Sequence, residues 1–202
     1  MRDANNIRAL EILDIDWIGF IFYAPSPRNV PDDDEICHAI RSCAKIKVGV
    51  FVNEEYKKIL STVEKYQLNH VQLHGDETPD FCRQLCDAGC RVIKVFSVSS
   101  EADLTKTAAY EPFVEYLLFD TKSSERGGTG KRFEWSLLEA YQGITPFLLS
   151  GGIAPEHITD LSKISHLRMT GIDLNSRFEL SPGLKNIVKI ENFLSLFKKK
   201  YH

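Results

Sequence analysis

Seven short apolar segments alternate with segments of helical periodicity along the whole 202-residue chain. Each apolar segment has the length and the flanking turn residues of a buried strand. The predicted strands lie at 17–22, 47–52, 71–73, 92–96, 116–119, 147–149 and 171–174. Because apolar strands that alternate with helices form parallel sheets covered by helices, we predict one α/β domain over residues 1–202.

Turns after the last two predicted strands decide between an open doubly wound sheet and a closed barrel. Ser150-Gly151-Gly152 follows the sixth strand, and Asn175-Ser176 follows the seventh. A phosphate commonly binds at this place in a TIM barrel, so the turns favour a (βα)8 barrel. The pattern has seven strands but eight helices, because no strand precedes the first helix. We therefore expect an N-terminally truncated TIM barrel with seven parallel strands, whose first β-strand lies upstream of Met1.

The charge balance argues against nucleic acid or an anionic membrane as the main partner. The chain has 25 Lys and Arg residues against 28 Asp and Glu residues, a net charge of -3, so it has no general basic field. No apolar segment approaches the length of a membrane span, and the first residues lack a signal-peptide pattern. The five cysteines, an odd number, indicate reduced thiols and a cytoplasmic location.

The sequence gives little support for a metal or nucleotide site. Cys82, Cys86 and Cys90 recur every four residues, which predicts one side of a helix. Without a CxxC pair or a nearby histidine, small buried side chains explain them better than a metal does. No HExxH spacing occurs, and the glycine-rich loop 127–131 lacks the Walker spacing of a nucleotide-binding loop.

Two of the predicted strand ends have the composition of an anion site. The carboxyl ends of parallel strands meet at one edge of a barrel. Gly151 and Gly152 let backbone N–H groups approach an anion closely, and Pro155 begins a helix whose positive end faces the same way. Asn175 and Ser176 add a side-chain donor and further N–H groups. Together the two turns favour a phosphate site over a pair of ordinary turns.

Four charged or titratable side chains near the same strand ends each have a functional and a structural interpretation. Asp120 ends the fifth strand before the glycine-rich loop, where it performs chemistry or caps a turn. Arg28 follows a stiff, proline-bracketed turn that suits a carboxylate-binding cation, although a solvated arginine fits as well. His74 contacts a ligand or bonds to its own turn. Asp173, predicted within an apolar strand, needs a donor or substrate as its partner.

Several segments resemble the phosphoribosylanthranilate isomerase family of tryptophan biosynthesis, in the family's order and over nearly the whole chain. They are Gly19-Phe20-Ile21-Phe22-Tyr23, Gly49-Val50-Phe51-Val52-Asn53, Val71-Gln72-Leu73-His74-Gly75, Phe119-Asp120-Thr121, Leu149-Ser150-Gly151-Gly152, Asp173-Leu174-Asn175-Ser176 and Ser181-Pro182-Gly183, with loop 127–131. The resemblance implies a (βα)8 barrel that converts N-(5′-phosphoribosyl)anthranilate to 1-(2-carboxyphenylamino)-1-deoxyribulose 5-phosphate. This Amadori rearrangement needs no metal or cofactor in the family.

The resemblance also implies roles for the candidate residues. Asp120 would be the general acid that protonates the ribose ring oxygen, for which its pKa must be raised. Arg28 would bind the anthranilate carboxylate, while His74 and Asp173 would line the substrate pocket. The residues implied to bind the phosphate are Gly151, Gly152, Asn175 and Ser176.

The chain departs from the family pattern at two places. The family's general base is a cysteine in a Lys-x-Cys-Gly motif of the first strand, and this chain has no such motif. We expect that cysteine upstream of Met1, which would leave this chain inactive and the edges of its first and last strands open to self-association. Arg177 replaces a glycine of the family pattern, and it either adds a phosphate contact or changes the turn.

Two other functions stay open. Another phosphate-binding barrel, such as a ribulose-phosphate epimerase, would share the Gly-Gly turn but would need metal-binding histidines, which the sequence does not show. A non-catalytic barrel that binds a phosphoribosyl ligand would keep the phosphate turns without a general base. Metal analysis tests the epimerase, and ligand binding without turnover would identify the non-catalytic barrel.

Overall fold

The computed structural model describes residues 1–121 and 135–201. Seven parallel strands form one sheet in which each strand pairs with its neighbours in chain order. They are β1 (Trp17–Ile21), β2 (Ile46–Phe51), β3 (His70–Leu73), β4 (Arg91–Val98), β5 (Tyr116–Thr121), β6 (Phe147–Ser150) and β7 (Met169–Ile172). The prediction of seven parallel strands is confirmed. Among the described residues no strand pairing joins β1 to β7, so the sheet curls as a partial barrel. The outer edge of β1 has no neighbouring strand, but its Gly19 and Ile21 carbonyls accept from the Met1 amine at 3.3 Å and the Val30 N–H at 2.8 Å.

Helices connect successive strands, and the longer ones lie in the first half of the chain and at its end. They are α1 (Ala4–Glu11), α2 (Asp34–Ser42), α3 (Tyr56–Tyr66), α4 (Pro79–Asp87), α5 (Glu101–Thr105), α6 (Ile158–Leu161) and α7 (Ile187–Tyr201). Tight 3-10 turns replace much of the expected helix after β4, β5 and β6, at Lys106–Ala109, Trp135–Ala140 and Pro155–His157. In the part of the chain that the structure describes, no helix is long and apolar enough to cross a membrane.

The start of α2 and the end of α4 leave one proline and one cysteine outside these helices. Helix α2 begins at Asp34 because the Asp33 carboxylate accepts a hydrogen bond from the Ile36 N–H and caps the helix. Pro31 therefore lies before the helix and not in its first turn, where a proline is common. Cys90 is likewise not on the helix of Cys82, because α4 ends at Asp87 and Cys90 directly precedes β4.

The sheet separates two apolar regions. The larger lies between the sheet and its helices and contains Phe20, Leu73, Leu85 and Phe119, among other residues. The smaller lies inside the curl of the sheet and consists of Val48, Ile93, Val95 and Leu118. At the amino-terminal end of the strands, the His70 ring stacks on Trp17 with ring centroids 4.8 Å apart, next to Tyr116. This aromatic packing covers part of that end, and Trp17 and Tyr116 also border the cavity that lies at the carboxyl end.

A short hairpin that the sequence analysis did not predict follows β7. Its strands β8 (Glu179–Ser181) and β9 (Leu184–Lys185) are antiparallel, and Glu179 lies opposite Lys185. Gly183 occupies the turn with φ of +82°, a conformation that glycine adopts without strain. The Asn6 side chain holds the hairpin against α1: its Oδ1 accepts from the Lys185 N–H and its Nδ2 donates to the Lys185 carbonyl.

Candidate active site

One cavity of about 1070 Å³ lies at the carboxyl ends of the strands and continues into the gap between β1 and β7. The residues predicted for the site all border it, namely Arg28, His74, Asp120, Gly151, Gly152, Asp173, Asn175 and Ser176. A Cβ added at Gly19 of β1 would point out of the plane of the sheet into the cavity and would meet no atom beyond its chain neighbours within 4 Å. The fold therefore brings together residues spread over some 150 positions of the sequence and leaves open space beside β1.

His74 and Asp120 face each other across the cavity. His74 follows β3 and is fixed by its backbone N–H, which donates to the Phe51 carbonyl at 2.8 Å. Asp120 is the last residue but one of β5, where it pairs in register with Ser150 of β6. His74 Nε2 lies 3.6 Å from Asp120 Oδ2, and both side chains are partly exposed. The partial exposure of both side chains leaves room for a ligand beside the pair.

The turn after β6 has the backbone of an anion site. Gly151 and Gly152 have φ of +98° and +62°, and this left-handed conformation disfavours any residue with a Cβ. Pro155 begins only a 3-10 turn, followed by the four-residue helix α6. The predicted contribution of a helix N-terminus to anion binding is therefore limited to that of a short turn. The N–H groups of the glycine turn are the better candidates to bind an anion.

Asp173 lies one residue beyond β7, not within the strand as predicted. Its backbone N–H donates to the Leu149 carbonyl at 2.8 Å, and its Oδ2 accepts from the Ser150 hydroxyl at 2.9 Å. The predicted requirement for a donor is met by that hydroxyl. Ser150 thereby ties Asp173 to the glycine turn, since it directly precedes Gly151.

Arg28 makes its ion pair with a residue that the sequence analysis missed. Its Nε lies 3.1 and 3.0 Å from the two carboxylate oxygens of Glu179, and its Nη2 lies 2.7 Å from Oε2. The Gly183 N–H donates to the same carboxylate at 3.1 Å. Burial acts to raise the pKa of Glu179, but the hydrogen bonds from Arg28 and the charge of Lys185 lower it overall. Glu179 is therefore held as a carboxylate.

Lys185 is a second cation in the same wall of the cavity. Its Nζ donates to Asn175 Oδ1 at 2.8 Å and to the Leu174 carbonyl at 3.3 Å, and it lies 3.4 Å from Glu179 Oε1. Burial lowers the pKa of Lys185, while the carboxylates of Glu179 and Asp173 act in the opposite direction and do not cancel the effect.

A sequence signal for Glu179 and Lys185 did exist. Glu179 and Lys185 are six positions apart, and Ser181-Pro182-Gly183 lies between them. A tight turn at that place aligns the acid and the base in a hairpin. The flanking residues do not alternate between apolar and polar, so no strand was predicted. Arg28, by contrast, lies 151 positions from Glu179, and no local pattern indicates that contact.

A buried ion pair supports the His74 turn from outside the cavity. Glu77 accepts hydrogen bonds from the backbone N–H groups of Asn53 and Gly75, at 2.8 and 3.0 Å. Lys94 Nζ donates to Glu77 Oε2 at 3.0 Å and to the Leu73 and Gly75 carbonyls at 3.2 and 2.7 Å. The polar groups of the turn that carries His74 are thus satisfied by this pair.

None of the five cysteines borders the cavity. Cys82 lies in the sheet–helix core, where burial raises its pKa to about 11, and Cys43 is also buried at the end of α2. Within residues 1–121 and 135–201, no group of three or more His, Cys, Asp or Glu side chains is placed to hold a metal ion. The glycine-rich loop 127–131 lies outside the described residues. Arg177 is exposed, and its carbonyl accepts from Lys189 Nζ at 2.7 Å.

Comparison with known proteins places the chain among relatives of similar length. The model of the family described as N-(5'phosphoribosyl)anthranilate (PRA) isomerase matches residues 2–195. An N-(5'-phosphoribosyl)anthranilate isomerase from Phocaeicola vulgatus is 46% identical over 204 residues, which cover 99% of this chain and 96% of that protein.

Solved structures of the same family share the fold. The phosphoribosyl anthranilate isomerase of Thermotoga maritima superposes with a TM-score of 0.81 at 32% identity, covering 98% of this chain and 96% of that one. A phosphoribosyl anthranilate isomerase in complex with reduced 1-(o-carboxyphenylamino)-1-deoxyribulose 5-phosphate has a TM-score of 0.76 at 31% identity, covering 96% and 91%. The likeness extends over the whole sheet, including the strands that carry the cavity residues.

Proposed function

Because the chain belongs to the N-(5′-phosphoribosyl)anthranilate isomerase family, we propose that its cavity binds and isomerises N-(5′-phosphoribosyl)anthranilate in tryptophan biosynthesis. The observation that carries the proposal is the convergence of an acid, an imidazole, a guanidinium and a glycine turn on one cavity. A phosphorylated sugar that also carries a carboxylate needs a site for each anion. The glycine turn is proposed for the phosphate and Arg28 for the carboxylate.

The proposed reaction has one proton transfer to the ring oxygen and one from C2′, followed by tautomerisation to the ketone. Asp120, as the neutral acid, gives its proton to the ribose ring oxygen while the bond between that oxygen and C1′ breaks, which leaves an iminium ion at C1′. A base then removes the proton from C2′, and the resulting enolamine becomes the ketone after proton transfer back to C1′. His74, 3.6 Å from Asp120 Oδ2, is placed to orient the acid. Asp173 and Ser150 support the glycine turn, to which Asn175 and Ser176 add donors.

The base of the second step has no candidate thiol in the cavity. We propose that a further strand, bearing a cysteine, pairs with β1 and β7 and completes the barrel. Even-numbered residues of β1 bond to β2, as Asp16 and Phe22 do at its ends, so the Gly19 carbonyl faces the gap, where it accepts from the Met1 amine at 3.3 Å. Among the described residues β1 and β7 do not pair with each other and border the same cavity, which supports this proposal.

Steady-state kinetics on two proteins tests the function and the missing base together. The 202-residue chain is expected to be inactive or nearly so, and a chain extended upstream through a Cys-Gly segment is expected to turn over N-(5′-phosphoribosyl)anthranilate. Loss of a general base alone lowers a rate by about 10²–10⁴-fold. Asp120→Asn in the extended chain should lose a similar factor, whereas binding of the reduced product should persist.

Three outcomes of these measurements would contradict parts of the proposal. Ordinary turnover by the 202-residue chain would refute the missing base. Full activity of Asp120→Asn would refute its role as the acid. Tight binding of the reduced product without turnover by the extended chain would instead identify a non-catalytic phosphoribosyl-binding barrel.

The two open strand edges also bear on assembly and location. We propose that β1 and β7 permit self-association of the 202-residue chain, because among the described residues neither outer edge pairs with another strand of the sheet. A second copy at β1 would have to replace the donors that Met1 and Val30 supply to its carbonyls. Sedimentation velocity should show a dimer that disappears when the upstream strand is restored. The five free cysteines support a reducing compartment, for which we propose the cytoplasm.

A further inference from the structure

Lys185 lies between the two anion sites proposed for the cavity. Its side chain is 11% exposed, and its Nζ contacts Asn175 on the phosphate side and Glu179 on the Arg28 side. None of the roles proposed above uses this ammonium group. A buried lysine at the border of a cavity carries a desolvation cost that the surrounding acceptors must offset.

Glu179 creates a problem for the proposed role of Arg28. Its carboxylate, 4% exposed, takes the Nε and Nη2 edge of the guanidinium. An arginine neutralised in this way is a weak site for a second carboxylate, although its Nη1 hydrogen-bonds to no acceptor among the described residues. Asp173 adds another negative charge to the same wall.

The charges of this wall balance only when Lys185 is counted. Arg28 and Lys185 contribute two positive charges, and Glu179 and Asp173 contribute two negative charges, so the four sum to zero. The amine of Met1 is buried beside these groups, but burial lowers its pKa to about 5, so it adds no charge at neutral pH. Without the lysine the same wall has one excess negative charge. An anionic ligand would then meet repulsion in a partly desolvated cavity, where charges act more strongly than in water.

We propose that Lys185 determines specificity for a carboxylate-bearing ligand, by offsetting the Glu179 charge so that Arg28 can bind the ligand's carboxylate. The inference deepens the proposed function and rests on it. Lys185 acts through Glu179 and Arg28 and not on the reacting atoms. Its contact with Asn175 gives it a competing role, support of the phosphate turn, and the two roles predict different ligand profiles.

Calorimetry with three ligands separates these roles. Inorganic phosphate probes the glycine turn, anthranilate probes the carboxylate site, and the reduced product probes both. Lys185→Met should weaken binding of anthranilate and of the reduced product on the order of 10- to 100-fold, the usual effect of removing one member of a desolvated charge pair. Binding of inorganic phosphate should change by less than about threefold. Lys185→Arg, which keeps the charge, should retain most of the affinity for the reduced product.

Two further variants make the test independent of a general loss of structure. Lys106→Met makes the same substitution at a lysine that is 65% exposed and pairs with Asp103, and it should leave all three affinities unchanged. The double variant Glu179→Gln with Lys185→Met restores the charge balance, since it removes one charge of each sign. Its affinity for the reduced product should be at least about tenfold higher than that of Lys185→Met.

Each contrary result has a distinct meaning. An equal loss for inorganic phosphate and the reduced product would show that Lys185 supports the phosphate turn, and it would overturn the inference. Unchanged binding in Lys185→Met, or no recovery in the double variant, would overturn it as well and leave the proposed function intact. If the wild-type chain binds the reduced product no better than inorganic phosphate, the proposed function fails and this inference fails with it.

Discussion

Two buried carboxylate–lysine pairs lie near the carboxyl edge of the sheet, and their surroundings differ. Glu77 and Lys94 are both 3% exposed, and the lysine has three acceptors in one turn. The side chains of Glu179 and Lys185 are 4% and 11% exposed, so they are also mostly buried, but both border the cavity and share their charges with Arg28. The first pair completes a turn of the fold, and the second leaves its charges available to a ligand. Burial alone therefore does not distinguish a structural ion pair from a binding site.

The largest effect on stability is expected at the pair outside the cavity. Glu77→Gln should lower the free energy of unfolding by about 3–5 kcal/mol, because it leaves the Lys94 charge buried without a carboxylate. Urea unfolding followed by circular dichroism measures this change. The double variant Glu77→Gln with Lys94→Met should lose less than the sum of the two single variants. A loss below about 1 kcal/mol for Glu77→Gln would show that the pair is not structural.

A smaller effect on stability is expected at the pair inside the cavity. Glu179→Gln should lower the free energy of unfolding by about 1–2 kcal/mol, because glutamine can still accept from the Gly183 N–H and from Arg28. The freed cations, Arg28 and Lys185, border the cavity and regain part of their hydration. Urea unfolding under the same conditions as for Glu77→Gln gives the comparison. Equal losses of unfolding free energy for Glu77→Gln and Glu179→Gln would show that the two pairs stabilise the fold equally.

The sequence predicted the seven strands and the convergence of the site residues because both depend on local patterns. An apolar run followed by a turn residue is visible in the sequence, and Asp120 and Gly151 lie at the carboxyl ends of such runs. The ion pairs depend on contacts between distant segments. Glu77 follows β3 and pairs with Lys94 of the neighbouring strand β4. Arg28, which follows β1, reaches Glu179 after β7 only because the sheet curls. Composition and periodicity do not encode that curvature.

The Asp173 error has a different physical origin. The apolar run at 171–174 suggested a strand that continued through the acid, but β7 ends at Ile172. The Ser150 hydroxyl and the Leu149 carbonyl then hold Asp173 beside the glycine turn. The bond from the Asp173 N–H to Leu149 continues the pairing of β7 with β6, so the predicted strand is wrong only in its last residues. The 3-10 turn at Trp135–Ala140, predicted as a helix, shows the same limit of a local pattern.

The smallest expected effect concerns pH and the cavity-facing lysine. Burial lowers the pKa of Lys185 below its ordinary value of 10.5. Between that lowered pKa and 10.5, the unfolded chain binds more protons at this lysine than the folded chain does, so its contribution to the free energy of unfolding rises with pH. The free energy of unfolding of the wild type, relative to that of Lys185→Met, should therefore increase as the pH rises from 7.5 to about 10. The expected increase is about 1.4 kcal/mol for each unit by which the pKa of Lys185 is lowered.

Urea unfolding of both proteins at several alkaline pH values measures that difference. Burial raises the pKa of Tyr66 and Tyr110, which makes both proteins less stable at high pH, but this effect cancels in the comparison. If the free energy of unfolding of the wild type relative to Lys185→Met stays constant or falls as the pH rises, burial does not lower the pKa of Lys185. The contrast between the two pairs would then rest on position alone.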